Sequence, residues 1–315
     1  MVTRPLAPGH PGYHTTLQVR WLGTTCYLIQ LGDVAILTDP FLSYHPAMKV
    51  ALSTIESDPL IVRREIGRLP VADAVFVGHS HYDHLLDVDE VLRQPRWGDV
   101  PVVGSETTRN ILCGYDEGWV DNWRPALTDG RWHTITWGLE YQVIRAEHAP
   151  NLKCGPISYT AYPGSAEECL KRPPRRAADF PMGETYAFVF RLSNRYAGEA
   201  VRPAEFTVYF AGSAANAPRG FPDESVQGVD LAILCVPGWT NTTGYPEAFI
   251  ERLRPRSLLL AHYDNFLQRR RADSTVVPTA HLGRFLNVAE EAADHAEFEQ
   301  ILVPDVGAVM HFRKP

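Results

Sequence analysis

The sequence predicts an α+β fold in which two mixed β-sheets stack face to face with helices on their outer faces. Three observations carry this. Short apolar runs bounded by turn residues recur from Leu17 almost to the C-terminus and outnumber the helical stretches. The helical stretches are interspersed among the strands instead of sitting at one end. With 315 residues, 45% of them hydrophobic, the chain can bury a substantial core.

The elements follow in order. Residues 1–16 are rich in Pro, Gly and His and read as a flexible N-terminal arm. Strands are expected at Leu17–Trp21, Cys26–Gln30 and Val34–Thr38, the last two forming a hairpin around Gly32-Asp33. The third strand runs into Asp39-Pro40-Phe41. A helix is expected over Asp58–Leu69, with Asp58 as cap and Pro59 at the first helical position. Ala72–Val77 is an apolar strand, and Asp87–Leu92 starts a helix. Further strands are expected at Val100–Val103, Trp132–Thr136, Tyr141–Ala146, Thr185–Leu192, Phe206–Ala211, Leu231–Val236, Ser257–Leu260 and Ala308–Phe312. Helices are expected at Pro246–Leu253 and Thr279–His295. The Pro/Arg-rich stretch at 163–183, with Lys171-Arg172-Pro173-Pro174-Arg175-Arg176, reads as a mobile, solvated surface insertion.

Bulk properties exclude some classes. Lys plus Arg number 30 against 37 Asp plus Glu, so the basic excess of a nucleic-acid binder is missing. No apolar stretch approaches the roughly 20 residues that span a bilayer, and the N-terminus lacks the apolar segment of a secretory signal. The five cysteines are scattered and form no C-x-x-C pair, which predicts reduced, mostly buried thiols and a cytoplasmic protein.

The most informative stretch is His79-Ser80-His81-Tyr82-Asp83-His84, directly after the strand Ala74-Val75-Phe76-Val77. It gathers three imidazoles and a carboxylate, and alternate residues of an extended segment point the same way. Imidazole nitrogen and carboxylate oxygen suit Zn, Fe and Mn. His148 follows the strand Tyr141–Ala146, and His262 ends the strand Leu258–Ala261; both sit where further ligands are expected. His10, His14, His133, His281 and His295 carry no motif and read as structural or surface residues.

These residues resemble the signature of the metallo-β-lactamase fold superfamily, H-x-H-x-D-H followed by a further His, an Asp and a last His. His79, His81, Asp83 and His84 match it residue by residue, with His148 and His262 as the later histidines. Trp21-Leu22-Gly23-Thr24-Thr25 and Ile36-Leu37-Thr38-Asp39-Pro40 are similar to the branch of ascorbate-phosphate lactonases and N-acylphosphatidylethanolamine phospholipases D. The resemblance implies a four-layer αβ/βα sandwich as a single domain over 17–315, and a pair of divalent metals, zinc foremost, with Mn or Fe as alternatives. His79, His81 and His148 would hold one metal and Asp83, His84 and His262 the other. One departure stands out: in Tyr209-Phe210-Ala211-Gly212-Ser213 a hydroxyl replaces the usual bridging aspartate. Serine is a poor ligand, so the second site is expected to be weaker.

The expected chemistry is hydrolysis by a metal-activated hydroxide, with Asp83 both ligating and orienting the nucleophile. A small molecule carrying a lactone, ester or phosphodiester bond is the expected substrate. Asp39 reads either as acceptor for the N–H of a ligating histidine or as a cap on the Pro40 turn. Ser213 is placed near a bound water, and Asp264 reads as a substitute acid or as a residue behind the ligands. Tyr44, His45, Asn151, Trp239 and Tyr263 lie on loops expected around the mouth. The alternative is a non-catalytic or regulatory metal-binding protein of the same fold with a weakened second site. The sequence leaves the oligomeric state open.

Overall fold

The computed structural model of the chain describes residues 4–155, 157–194, 204–271, 275–294 and 297–314. Its first half begins with β1 (Leu17–Gly23), β2 (Cys26–Leu31) and β3 (Val34–Thr38), then α1 (Ala47–Leu52) and α2 (Pro59–Ile66). β4 (Ala74–Phe76) leads into α3 (Tyr82–Leu85) and α4 (Val88–Leu92). β5 (Val102–Gly104), α5 (Glu106–Cys113), α6 (Trp119–Asn122) and β6 (Trp123–Pro125) complete it. The second half holds β7 (His133–Thr136), β8 (Leu139–Arg145) and the hairpin strands β9 (Leu152–Cys154) and β10 (Ile157–Tyr159). β11 (Tyr186–Ser193), β12 (Glu205–Ala211), β13 (Leu231–Cys235) and α7 (Glu247–Leu253) follow. The last elements are β14 (Ser257–Ala261), α8 (Leu282–Ala292), β15 (Gln300–Leu302) and β16 (Val309–Phe312).

Two seven-stranded mixed sheets result, ordered β16-β1-β2-β3-β4-β5-β6 and β15-β14-β13-β12-β11-β8-β7. In the first, β16, β1, β2 and β3 are antiparallel and β3 to β6 run parallel, each parallel step crossing over through segments that contain helices. In the second, β12, β13, β14 and β15 are parallel, and β11 pairs antiparallel with β12 and β8. The expected α+β class with two stacked sheets is the one observed.

Period-two patterning places the core. Leu17, Val19 and Trp21 of β1 and Tyr27 and Ile29 of β2 face the second sheet and join one apolar cluster with Phe188 and Phe190 of β11. Phe76 of β4 meets Phe188 at 5.3 Å and Phe190 at 4.7 Å between ring centroids, both edge-on. The opposite face of the first sheet, through Leu28, Ala35 and Val75, packs on Val62 and Ile66 of α2 and Val88 and Val91 of α4. Asp58 caps α2 by accepting from the Leu60 and Ile61 amides, with Pro59 opening the helix. α8 is shorter than the expected Thr279–His295, because His281 takes a left-handed φ of 47° and separates it from a 3₁₀ turn at Pro278–Ala280. His295 lies outside the described residues.

The segment before β1 is anchored at its end: the Tyr13 hydroxyl bonds Asp33, and the Gly32 amide donates to Tyr13 O. The 163–183 segment is likewise tied down. Leu170 N donates to Asn110 O, Ile55 N to Arg175 O and Ser80 N to Met182 O, while Ala177 and Phe180 enter the outer core. The expectation of reduced thiols is corrected here. Cys113, at the end of α5, and Cys169 form a disulfide with their Cα atoms 5.5 Å apart, and Cys154 is exposed. Two cysteines 56 positions apart in sequence give no local sign of pairing. Disulfides persist in oxidising surroundings, so this bond removes the argument from cysteine pattern to the cytoplasm. No helix among the described residues is long and apolar enough to cross a membrane.

The cross-link closes a long loop and should stabilise the fold by roughly 2–4 kcal/mol. Denaturant midpoints with and without reductant check this. The parent should lose stability on reduction, whereas Cys113→Ser should start at the lower value and show no further loss. A parent that ignores reductant would mean the thiols are unpaired.

Candidate metal centre

The histidine stretch is shaped by its backbone. β4 ends at Phe76, and the chain turns out of the sheet through Val77 and Gly78. The Gly78 amide donates to Asp39 Oδ1 at 2.6 Å, and Ser80 is fixed by Met182 O through its amide and by Thr108 through its hydroxyl, 2.9 Å each. His79 and His81 thus project from extended chain, while the single turn of α3 carries Asp83 and His84. His148 comes from the loop after β8. His262 caps β14 with φ 64°, its amide donating to Thr24 O at 2.9 Å. Asp39, at the end of β3, also has positive φ, 36°. Left-handed backbone at non-glycine residues is strained and concentrates at functional sites.

The six side chains form two adjoining groups. The ligand atoms of His79, His81 and His148 lie within 4.8 Å of one another, and so do those of Asp83, His84 and His262. The His79 and His84 rings are 3.8 Å apart between centroids, which joins the groups. His262 Nε2 lies 3.3 Å from Asp83 Oδ2, and His84 Nε2 lies 4.0 Å from the same oxygen. His84 Nδ1 faces Asp39 Oδ2 at 2.8 Å and Thr25 Oγ1 at 3.0 Å, which leaves Nε2 for a metal. His148 Nδ1 is paired with Ala149 O at 2.7 Å, which frees its Nε2 likewise.

These residues fit a bound metal pair. Buried polar atoms are nearly always hydrogen-bonded. Here both ring nitrogens of His79, Nε2 of His81 and Nδ1 of His262 are buried with no hydrogen-bond partner in the structure. They belong to three histidines, each able to offer one nitrogen to a metal, and these rings beside the Asp83 carboxylate are donors that suit a divalent transition metal. The electrostatics agree. Burial, reinforced by the neighbouring imidazoles, holds His79 far below the usual histidine range and takes His148 down to about 3. Burial also lowers His81. Burial alone would raise the Asp83 carboxyl, but His84 and the His262 hydrogen bond keep it well below the ordinary carboxylate range. Burial opposes the charged form of His84 too, yet Asp39 and Asp83 leave it raised.

The signs give an order of metal release on acidification. A raised His84 lets protons compete for the Asp83, His84 and His262 group near neutral pH. The lowered His79, His81 and His148 resist protonation until pH falls well below the free histidine value of about 6.5. Below a ligand's pKa, affinity drops about tenfold per pH unit for each competing proton. Cobalt spectra or dialysis between about pH 8 and 5 should show the group with Asp83 emptying first. Release in the reverse order would contradict the assignment.

Beside the ligands opens a cavity of about 530 Å³, lined at its inner end by His81, Asp83, His148 and His262. Asn151 is on its wall, with Oδ1 accepting from the Ala161 amide at 2.7 Å. The structure places the other four expected mouth residues elsewhere, because each polar tip finds a partner inside the body. The Tyr44 hydroxyl donates to Asp264, His45 Nε2 pairs with Glu56 O, Trp239 Nε1 donates to Ala280 O, and the Tyr263 hydroxyl donates to Pro304 O. Asp264 is buried and occupied by Tyr44 and the Thr24 amide, which places it behind the β1–β2 turn. Asp39 spends its two oxygens on Gly78 and His84, leaving none for the Pro40 turn. Ser213 lines the cavity; its hydroxyl accepts from Ala149 N at 3.2 Å and donates to Ala214 O at 3.1 Å. His281, read as a structural or surface residue, is exposed and lines the cavity.

Two contributors were not legible from sequence. Thr25 lies in the family-like segment Trp21–Thr25, but nothing in that segment names His84, far away in the chain, as its partner. Gly212 leaves room for the pair behind the metal: a Cβ there would lie 2.7 Å from Asp39 Oδ2 and 3.6 Å from His84 Nδ1.

A family model, the beta-lactamase superfamily domain, matches residues 35–263, which include all six candidate ligands. The chain belongs to the beta-lactamase superfamily. A relative in Methanopyrus kandleri, named a UPF0173 metal-dependent hydrolase, is 35% identical over 78 residues, 25% of this chain and 27% of its own length. The chain spans about a quarter of the length of the curated relatives it matches. Among solved structures, Igni18, a metallo hydrolase from Ignicoccus hospitalis, aligns with a TM-score of 0.54 at 18% identity, over 96% of this chain and 100% of that one. CmlA, a diiron β-hydroxylase from Streptomyces venezuelae, aligns with a TM-score of 0.53 at 13% identity, over 96% of this chain and 54% of that one. At such identities the likeness is one of fold, and it is the metallo-β-lactamase fold.

Proposed function

We propose that this chain is a metal-dependent hydrolase that holds two divalent ions, zinc foremost, and cleaves a lactone, ester or phosphodiester bond of a small molecule. One observation carries the reading: six metal-competent side chains, positioned by strands of both sheets, form two adjoining groups, four of them line the cavity, and four of their buried nitrogens lack any hydrogen-bond partner. His79, His81 and His148 are the residues for one ion and Asp83, His84 and His262 for the other. Bound there, the ions supply a nucleophile from water near neutral pH and stabilise the oxyanion that forms.

The chain's own residues do the rest. Asp83 stays ionised and orients the attacking water by accepting its hydrogen bond. Asp39 accepts a hydrogen bond from His84 Nδ1–H, which fixes the tautomer, and Ala149 O does so for His148. The apolar wall strengthens charge interactions by excluding water. Ser213, already committed to two backbone groups, adds no bridging charge, and this favours zinc over a diiron centre that relies on a bridging carboxylate.

Elemental analysis of the gently purified parent and of His84→Ala tests the proposal, run beside hydrolysis of a lactone, an aryl ester and a phosphodiester. The expected result is about two metals falling to one, with turnover following the metal. One metal unaffected by His84→Ala would remove the second site. A fully loaded protein inert toward all three bonds, with ligand affinity intact in His81→Ala, would leave the non-catalytic reading.

A further inference from the structure

We infer that the cavity selects an uncharged substrate with an apolar limb, an acyl or alkyl ester or lactone, and discriminates against phosphodiesters. The inference rests on the hydrolase reading above and concerns the part of the substrate beyond the scissile bond. Among the described residues that line the cavity there is no Lys and no Arg, and the only carboxylate is Asp83 at the ligand end. Away from that end the wall is Val50 of α1, Leu152 of β9, Phe266, Leu267 and Val277. Its polar groups there are neutral hydroxyls and amides such as Thr240, Asn241 and Thr279, or the imidazole of His281.

Neither Lys153 nor Arg270 is among the lining residues: Lys153 Nζ, exposed on β9, reaches Asn241 O at the cavity edge at 3.3 Å, and the Arg270 guanidinium lies 5.8 Å from the Tyr44 ring centroid with Nη1 buried. Protein sites that recognise phosphate esters characteristically supply Arg, Lys or clustered backbone amides to the non-bridging oxygens. The non-bridging phosphodiester oxygen that bound ions leave free would face this wall, where the lining residues include no Lys or Arg to compensate it. An alkyl limb gains from the same wall, and the volume of about 530 Å³ lies within the usual range of small-molecule sites.

The test uses the zinc-loaded full chain and one leaving group throughout: p-nitrophenyl acetate, butyrate and hexanoate against bis(p-nitrophenyl) phosphate. Each added methylene should raise kcat/KM by up to about fourfold, and since a phosphodiester is intrinsically slower than an aryl ester, discrimination is read from KM, which should be highest for the phosphodiester. Leu152→Lys, at a position 64% exposed where the fold tolerates change, should flatten the chain-length slope and improve the phosphodiester relative to hexanoate. A flat slope in the parent, or a phosphodiester KM as low as that of hexanoate, overturns the inference while the hydrolase reading stands. If the loaded protein cleaves none of them, the hydrolase reading fails. Calorimetry with hexanamide and diethyl phosphate then decides the cavity: tighter hexanamide upholds its ligand class, and tighter diethyl phosphate overturns it.

Discussion

His79→Ala is expected to lower metal-dependent turnover by about a thousandfold or more while the chain remains folded. His79 sits where the two ligand groups meet, with its ring 3.8 Å from that of His84 and 4.8 Å from those of His81 and His148. Both its nitrogens are buried and unpaired, so truncation removes no hydrogen bond on which the fold depends. A divalent ion contributes several kcal/mol of transition-state stabilisation, and about 1.4 kcal/mol corresponds to tenfold in rate. Losing the ion at the three-histidine group therefore costs on the order of three decades. Parallel measurements of kcat/KM, metal content and circular dichroism check this. Activity within tenfold of the parent at full metal content would exclude His79 as a ligand.

Asp39→Ala is expected to weaken metal at the Asp83, His84 and His262 group by about 10- to 100-fold and to destabilise the fold. The carboxylate is fully buried and has two tasks: Oδ2 holds His84 Nδ1, and Oδ1 accepts the Gly78 amide. Removing a partner behind a ligating histidine characteristically has an effect of that size on affinity. The Gly78 amide, left buried without an acceptor, adds about 1–3 kcal/mol of destabilisation. Gly212→Ala should reproduce the first effect, since its new Cβ would press on Asp39 Oδ2. Metal titration beside denaturant unfolding separates the two consequences. Unchanged affinity with lowered stability would reduce Asp39 to a turn residue.

The candidate ligand groups were readable because each member follows an apolar strand or sits in one six-residue run, so a local pattern carries the signal. Hydrophobic alternation likewise located most strands, with ends displaced by a residue or two where pairing partners decide the boundary, as with β8 at Leu139–Arg145 against the expected Tyr141–Ala146. Two kinds of feature were not readable. α5 contains Thr107, Thr108 and Asn110, poor helix formers, and owes its helix to the Ser105 cap and to burial of Ile111 and Leu112. Long-range pairings, such as Thr25 to His84, Tyr44 to Asp264 and Cys113 to Cys169, depend on which loops the fold brings together. The aromatic side chains expected at the cavity mouth show the same limit: their loops are near, but their hydroxyl, imidazole and indole groups are claimed by inward partners.

The division of the ligands between the two sheets bears on how the centre comes into being. Four of the six side chains follow β4 in the first sheet, whereas His148 and His262 follow β8 and β14 in the second. Neither group is complete on one sheet alone. The residues that must meet are far apart in the chain, the kind of contact that forms late in folding. Metal capture is therefore coupled to the docking of two halves, and a chain halted with one sheet formed presents an incomplete grip. On the proposed function, ions held by these groups would bridge the two sheets, so metal uptake during refolding would report the moment at which the halves have closed.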